Sequence, residues 1–406
     1  MTEMRDASSR SPWTTLWLSP RETIVRILAT RPRHLVLPLA ALGSIAGYYG
    51  LLVSGGVAGL LADWRFWLGF LLLGAVIGIV WLYLSALILS WIGRLLGGDA
   101  STLELRAVVA WSAVPSILGF FVVLLIRAAL NEESAALRGG LALLVIGFGL
   151  WSFVVFLLML ARVQHFGFWR TIAAYIINLI FPLAIAILIR SLLCQPFNVP
   201  SVAMSPTLLN GDYFFASKFA YGYSRHSLPF SPPLFSGRIF ASEPERGDVV
   251  VFVLPKDGVT VYVKRVVGLS GDRIQMKQGV LFINDAPVAR EPLADYPAAD
   301  LCGSGRARTV RRWRETLPNG LSYETLDCAD NDFYDNTNIY TVPAGHFFAI
   351  GDNRDNSTDS RALSALGYVP LDNLVGRASL IFFSRAPDSD GAASSVRTER
   401  LGTIVR

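Results

Sequence analysis

FNVPSVAMSPTLLNGDYFFASKF, Phe197–Phe219, marks the point where the chain changes character. Upstream lie five apolar segments, each near the roughly 20 residues needed to cross a bilayer as a helix. They are His34–Val57, Phe66–Leu89, Val108–Ile126, Leu141–Leu160 and Ile172–Leu193. Downstream the period shortens. DYFFASKFAYGY, GDVVVFVLP, TVYVKRVVGL, GVLFIND and ASLIFFS are rich in β-branched and aromatic residues and are separated by Gly, Pro, Asn and Asp, the pattern of β-strands. DRIQMKQGVLFINDAPV reads as a hairpin turning near Lys277–Gly279. The expected fold class is therefore an α + β membrane protein, with an N-terminal multi-span helical bundle followed by a mainly β domain. The boundaries this implies are a leading segment over 1–33, a membrane domain over 34–193 and a β domain over 194–386. An insert without a strong period falls near 290–340, and a polar, flexible tail over 387–406.

Composition agrees. The 406 residues are 52% hydrophobic, with a formal net charge of +5. Arg5, Arg10, Arg21, Arg26, Arg31 and Arg33 precede the first span, and Arg94, Arg106, Arg162 and Arg170 lie in later connectors. This arginine bias places the N-terminus in the cytoplasm. Five crossings then carry the β domain to the outer face of the membrane. The basic excess is spent on membrane flanks, so no nucleic-acid partner is expected. The first apolar stretch is too long for a cleavable signal peptide and lacks a clear cleavage site. The spans contain almost no ionisable side chains, which argues against a transporter. Arg306, Arg308, Arg311, Arg312 and Arg314 form a basic cluster in the insert, read as a solvated face. No Cys/His spacing suits a metal, and no cofactor is expected. Cys302 and Cys328 can form a disulfide if the β domain is extracytoplasmic.

The chemistry must come from other residues. G-x-S-x-G and H-E-x-x-H are absent, and none of the four histidines (His34, His165, His226, His346) is marked as part of a triad. A lysine can replace histidine as a base when burial lowers its pKa. In TVYVKRVVGLSGDRI, strand alternation puts Tyr262, Lys264 and Val266 on one face and Val263, Arg265 and Val267 on the other. One of the two adjacent cations must face inward. Lysine tolerates neutrality and arginine does not, so Lys264 is the candidate for burial. A second polar concentration follows in AIGDNRDNSTDSRALSALGYVPLDNLVGRA, where Asp352, Asn353, Asp355, Ser357, Asp359 and Arg361 crowd into one loop between apolar strands. Such density favours an internally bonded scaffold.

Four boxes in order, PSVAMSPTL (200–208), GDVVVF (247–252), YVKRVVGLSGD (262–272) and GDNRDNSTDSR (351–361), resemble those of type I signal peptidases, membrane-bound serine proteases of the Ser–Lys dyad class. SPRETIVRILATRP, before the first span, resembles the start of a Yip1-type membrane domain, which implies a helical bundle without catalysis. The resemblance implies Lys264 as general base, with Ser357 orienting it. It implies Ser201 as an oxyanion-hole donor, Asp359 and Arg361 as a supporting ion pair, and Met204 at the substrate cleft. It implies cleavage of signal peptides from exported preproteins after Ala-x-Ala-like sites, at the cytoplasmic (inner) membrane of a bacterium, with the bilayer and export machinery as partners. One position departs from the pattern: the nucleophile falls on Ala203, preceded by Val202 instead of the usual glycine. Alanine cannot form an acyl-enzyme. Three alternatives remain open: a displaced nucleophile at Ser201 or Ser205, an inactive member that binds signal sequences, and a membrane scaffold with a vestigial β domain. In an extended segment either serine sits about 6.6 Å from position 203.

Overall fold

The computed structural model describes residues 11–54, 64–130, 134–298, 301–302, 308–386 and 396–406. The chain divides into two compact units, Met1–Leu183 and Ala184–Arg406. The division falls inside the last helix, ten residues before the boundary at 193/194 that hydropathy suggests.

The first unit is helical: α1 (Pro12–Thr15), α2 (Pro20–Thr30), α3 (Val36–Ser54), α4 (Trp64–Leu95), α5 (Thr102–Ser112), α6 (Val114–Ala129), α7 (Ala135–Val163) and α8 (Phe168–Leu192). Among the described residues four helices are long and apolar enough to cross a membrane: Trp67–Leu95, Thr102–Ala129, Ala135–Val163 and Phe168–Leu192. The first expected span falls on α3, whose apolar stretch Val36–Tyr49 is shorter, and its last residues, 55–57, lie outside the described residues. The third span is not one continuous helix. It breaks at Ala113, where Pro115 fits the first turn of α6 and would deny α5 a backbone donor. Ser101 and Glu104 close a reciprocal capping box at the start of α5. Leu125, Leu143, Leu179 and Leu183 point outward and are mostly exposed, as helices facing lipid require. Glycine serves close packing: a Cβ on Gly78 of α4 would lie 2.5 Å from the Ala40 carbonyl oxygen of α3.

The second unit is mainly β. A seven-stranded antiparallel sheet runs β1–β2–β14–β3–β4–β12–β13. Its strands are β1 (Cys194–Asn198), β2 (Asp212–Ser217), β3 (Val249–Val253), β4 (Val261–Gly268), β12 (His346–Ile350), β13 (Val369–Pro370) and β14 (Leu374–Ser384). Both faces of its centre are covered. Val249, Val251 and Val253 pack with Phe214 and Ile381 on one side, and Val250 and Phe252 pack with Phe347 and Val369 on the other. This explains why GDVVVFVLP is a continuous apolar run without alternation. A four-stranded sheet runs β11 (Tyr340–Thr341), β5 (Arg273–Lys277), β6 (Val280–Ile283), β7 (Ala286–Pro287). Its β5–β6 hairpin turns at Lys277–Val280, matching expectation.

Two regions differ from the sequence reading. The aperiodic insert contains a three-stranded antiparallel sheet of β8 (Ala289–Ala298), β9 (Arg308–Thr316) and β10 (Ser322–Asp327), with a Cys302–Cys328 disulfide. Two of its arginines are engaged rather than free: Arg311 pairs with Asp327 at 2.6 Å, and Arg312 donates to the Ala294 carbonyl at 3.1 Å. Arg306 lies outside the described residues. The tail is also more ordered than its polarity suggests. Residues 396–406 return to the sheet, and Arg400 Nη2 meets the buried carboxylate of Asp212 at 2.5 Å. A fully buried aspartate needs such a partner. Residues 387–395 lie outside the described set.

Candidate active site

Three segments of the second unit meet at one cleft of about 640 Å³: the turns after β1, the start of β4 and the loop after β12. The first segment leaves and re-enters the β1–β2 pairing, with Val199 N–H donating to the Asp212 carbonyl at 2.8 Å and Gly211 N–H to that of Val199 at 2.9 Å. Between them the chain is a run of turns, not a strand, closed by Ser205 N–H to the Val202 carbonyl at 3.0 Å. Period-two spacing therefore does not apply, and the two flanking serines separate. Ser201 is exposed on the cleft wall. Ser205 is completely buried, and its hydroxyl reaches neither the cleft nor a hydrogen-bond partner. Met204, expected at the cleft, is instead packed in the core with Val199, Leu208 and Phe214, and it does not line the cavity. The turn that leaves position 203 at the rim pushes the methionine inward.

Lys264 and Ala203 both line the cleft, with Tyr262, Ser357 and Tyr334. β4 pairs with β3 over Val261–Arg265, but with β12 only from Arg265 onward. Thr260–Lys264 thus offers the cleft a strand edge without a partner strand on that side. Tyr334 comes from the insert, and no local pattern in the sequence marks it.

The alternation along β4 is as expected, but both cations are buried, with 4% of Lys264 and 0% of Arg265 exposed. Both faces of the strand are covered, so neither side chain has an aqueous option. They solve the problem differently. Arg265 is the one paired. Its Nε and Nη2 each donate to Asp352 at 2.8 Å, and its Nη1 donates to the Gly247 carbonyl at 2.7 Å. Lys264 has no hydrogen bond or ion pair to any described residue. Burial lowers its pKa to about 8, with Asp359 pulling it up and Arg361 pushing it down. At pH 7 roughly a tenth of the amine is then neutral. Because the unfolded chain holds this proton up to about 10.5, the folded state is penalised below pH 8, and stability rises between pH 8 and 10.5. Lys264→Met is accordingly expected to stabilise the protein by about 3 kcal/mol below pH 8, with the gain fading between pH 8 and 10.5 and absent above that. Denaturant melts at pH 7 and pH 10 read this difference.

The loop from Gly351 to Arg361 is an internally bonded scaffold, as its polar density suggests. Arg361 holds Asp359 with two hydrogen bonds, Nε to Oδ1 at 2.9 Å and Nη2 to Oδ2 at 2.8 Å. Burial alone would raise the Asp359 carboxyl, but Arg361 and Lys264 outweigh it and hold the group below its ordinary value. Asn353 fixes the turn at 203, with its N–H donating to the Ala203 carbonyl at 3.1 Å and its Nδ2 to those of Leu301 at 2.7 Å and Val202 at 3.2 Å. Gly351 permits the close approach. A Cβ there would lie 2.2 Å from Ser357 Oγ and 2.5 Å from the Ala203 carbonyl oxygen. The Ser357 hydroxyl therefore sits beside position 203, and it is buried without a hydrogen-bond partner. The Ala203 N–H is likewise unpartnered among the described residues.

A shielded amine, an unpartnered hydroxyl and a free backbone N–H around one strand-edged cleft, preceded by membrane-length helices, match the expectation of a membrane-bound peptidase of the lysine-base class at every position but 203. Comparison with known proteins agrees. A family model described as signal peptidase, peptidase S26, matches residues 172–383, and a Yip1 domain model matches residues 13–190. The signal peptidase I of Rickettsia typhi is 43% identical over 223 residues, covering 53% of this chain and 81% of its own. That of Rickettsia akari is 45% identical over 212 residues, covering 50% and 77%. A solved signal peptidase I from Enterococcus faecalis matches at 24% identity and a TM-score of 0.21, over 34% of this chain and 97% of its own. The chain belongs to the signal peptidase I family, within peptidase S26, and joins that domain to a Yip1-type helical region. It is a membrane protein of a serine peptidase family.

Proposed function

We propose that the cleft binds signal peptides of exported preproteins and that, with alanine at position 203, it holds them without cutting. The observation behind this reading is the pairing of an intact base environment around Lys264 with a methyl group at the nucleophile position. In this reading Lys264 is the base and Ser357 orients it. The Ser201 hydroxyl and the N–H at position 203 form the oxyanion hole, and Asp359 with Arg361 holds the loop in place. Substrate lies extended along the free edge at Thr260–Lys264, adding a strand. The protein resides in the cytoplasmic membrane of a bacterium as a multi-pass chain, with the β domain on the outer face and in reach of the export machinery.

Full-length protein in lipid nanodiscs should bind a fluorescent signal peptide ending in Ala-x-Ala saturably and leave it uncut. Absence of binding would reject the reading, and so would turnover by the unaltered chain. Turnover would instead favour Ser201, the flanking serine exposed on the cleft wall, and Ser201→Ala would then abolish it. For orientation, a membrane-impermeant thiol label added from outside should reach Cys302 and Cys328 after reduction. Labelling from the cytoplasmic side alone would reverse the topology.

A further inference from the structure

A second cleft, of about 800 Å³, lies in the helical unit, well separated in sequence from the peptidase boxes. Arg21, Glu22, Val25 and Arg26 of α2 line one side, and Arg162, His165 and Phe166, around the end of α7, line the other. The placement follows from amphipathicity. α2 buries Thr23, Ile24 and Ile27 and turns its charged side outward. Three arginines therefore converge against a single glutamate. Their charge is poorly answered by the protein itself. Arg26 Nη2 reaches Glu22 only at 3.4 Å, and Arg26 Nη1 is buried without a partner. Arg21, Arg162 and His165 make no hydrogen bond or ion pair with any described residue. Arg21, Arg162 and His165 are exposed, so the one buried donor left without a partner is Arg26 Nη1. Such an atom is normally satisfied, and with the converging positive charge it gives the cleft the chemistry of an anion site.

We propose that this cleft binds a phosphate group, presented by an anionic phospholipid. Guanidinium forks match phosphate oxygens, and basic pockets between membrane helices at the arginine-rich end suit lipid headgroups. The surroundings separate a lipid from a soluble phosphate. Val25 is an exposed apolar residue on the wall, and Phe168 and Trp169, at the start of α8, are 67% and 80% exposed. The cleft lies where apolar α7 ends, and its Phe166 is two residues in sequence before the exposed Phe168–Trp169 pair.

The test uses full-length protein in neutral detergent, read by native mass spectrometry and by thermal unfolding. Phosphatidylglycerol should give a bound adduct and raise the midpoint. Phosphatidylcholine, whose headgroup carries no net charge, and inorganic phosphate at equal concentration should do neither. Arg26→Gln with Arg162→Gln should weaken phosphatidylglycerol binding at least about tenfold. The pair of lysine substitutions, which keeps both charges, should lose less, separating recognition from misfolding. Phosphatidylglycerol binding unchanged by the glutamines, or absent, would overturn the site. A shift with inorganic phosphate and none with phosphatidylglycerol would overturn its assignment to lipid.

Discussion

Full-length Ala203→Ser protein should cut an Ala-x-Ala signal peptide at least about ten-thousand-fold faster than the unaltered chain. Loss of the nucleophile in other serine proteases costs this much or more. In the proposed reading the other groups a cut needs already surround position 203. Position 203 is fixed by Asn353 through its own carbonyl and that of Val202, so a serine enters a backbone that already holds its shape. Lys264, lowered to about 8 by burial, can accept the hydroxyl proton, and the turn leaves the 203 N–H free for the oxyanion. The rate should climb as pH rises from 6 and level off above about 8, because the neutral amine is the working form. Lys264→Ala in the serine background should return the rate to that of the unaltered chain, although the deletion removes a desolvation penalty. Binding of the peptide should change little among the three proteins, since nucleophile and base act on the bond and not on the docked strand. A flat rate across pH 6–9, or cutting that survives Lys264→Ala, would remove Lys264 from the mechanism. Retained binding with no cutting by Ala203→Ser would point to Val202: a residue larger than the family's glycine would then hold the new hydroxyl away from the amine.

What could be read from residue order was what depends on near neighbours. Hydropathy located α4 and α6–α8 because a membrane span is a local property. Alternation placed Lys264 because its burial follows from the strand it sits in. The same rule did not anticipate that Arg265 is buried as well, since it assumed one face was wet. The partner that makes a buried Arg265 tolerable is Asp352, 87 positions away, and no spacing reveals it. Strand parity also failed across Ser201–Ser205, where turns replace the strand and send Ser205 and Met204 into the core. The sheet within the insert escaped detection because its strands carry many charged residues, including Arg311, Arg312 and Glu315 of β9, that are stabilised by carboxylates and rings from other strands. Arg290, for example, lies 3.8 Å from the centre of the Trp313 ring. Tail residues such as Arg400 look solvated until the buried Asp212 is known.

Asp352→Asn should destabilise the β domain by about 3–5 kcal/mol, the usual cost of leaving one member of a buried ion pair uncompensated. The aspartate accepts both forks of Arg265 and, at 2.5 Å, the hydroxyl of Thr207. It thereby ties β4, the loop after β12 and the turn carrying position 203 into one unit. The amide keeps the shape and removes the charge, so the loss measures electrostatics more than packing. Arg265 cannot escape by deprotonating, as Lys264 can, and its other acceptors among the described residues are the backbone oxygens of Gly247 and Arg406 and the Thr207 hydroxyl. The ring of Tyr323 lies 4.1 Å from the guanidinium, but a ring supplies less than an anion. The same substitution removes one of the charges that hold the Lys264 pKa up. In the Ala203→Ser background, the surviving folded fraction should therefore show a pH profile displaced to lower pH. Urea melts of the single variant and of Asp352→Leu with Arg265→Met separate the causes. The double apolar variant should recover most of the loss, because both charges leave together. If it is as unstable as Asp352→Asn, shape and not the unpaired guanidinium governs this junction. If Asp352→Asn costs under 1 kcal/mol, the pair contributes little to stability and the β4 face carrying Arg265 is wetter than its burial indicates.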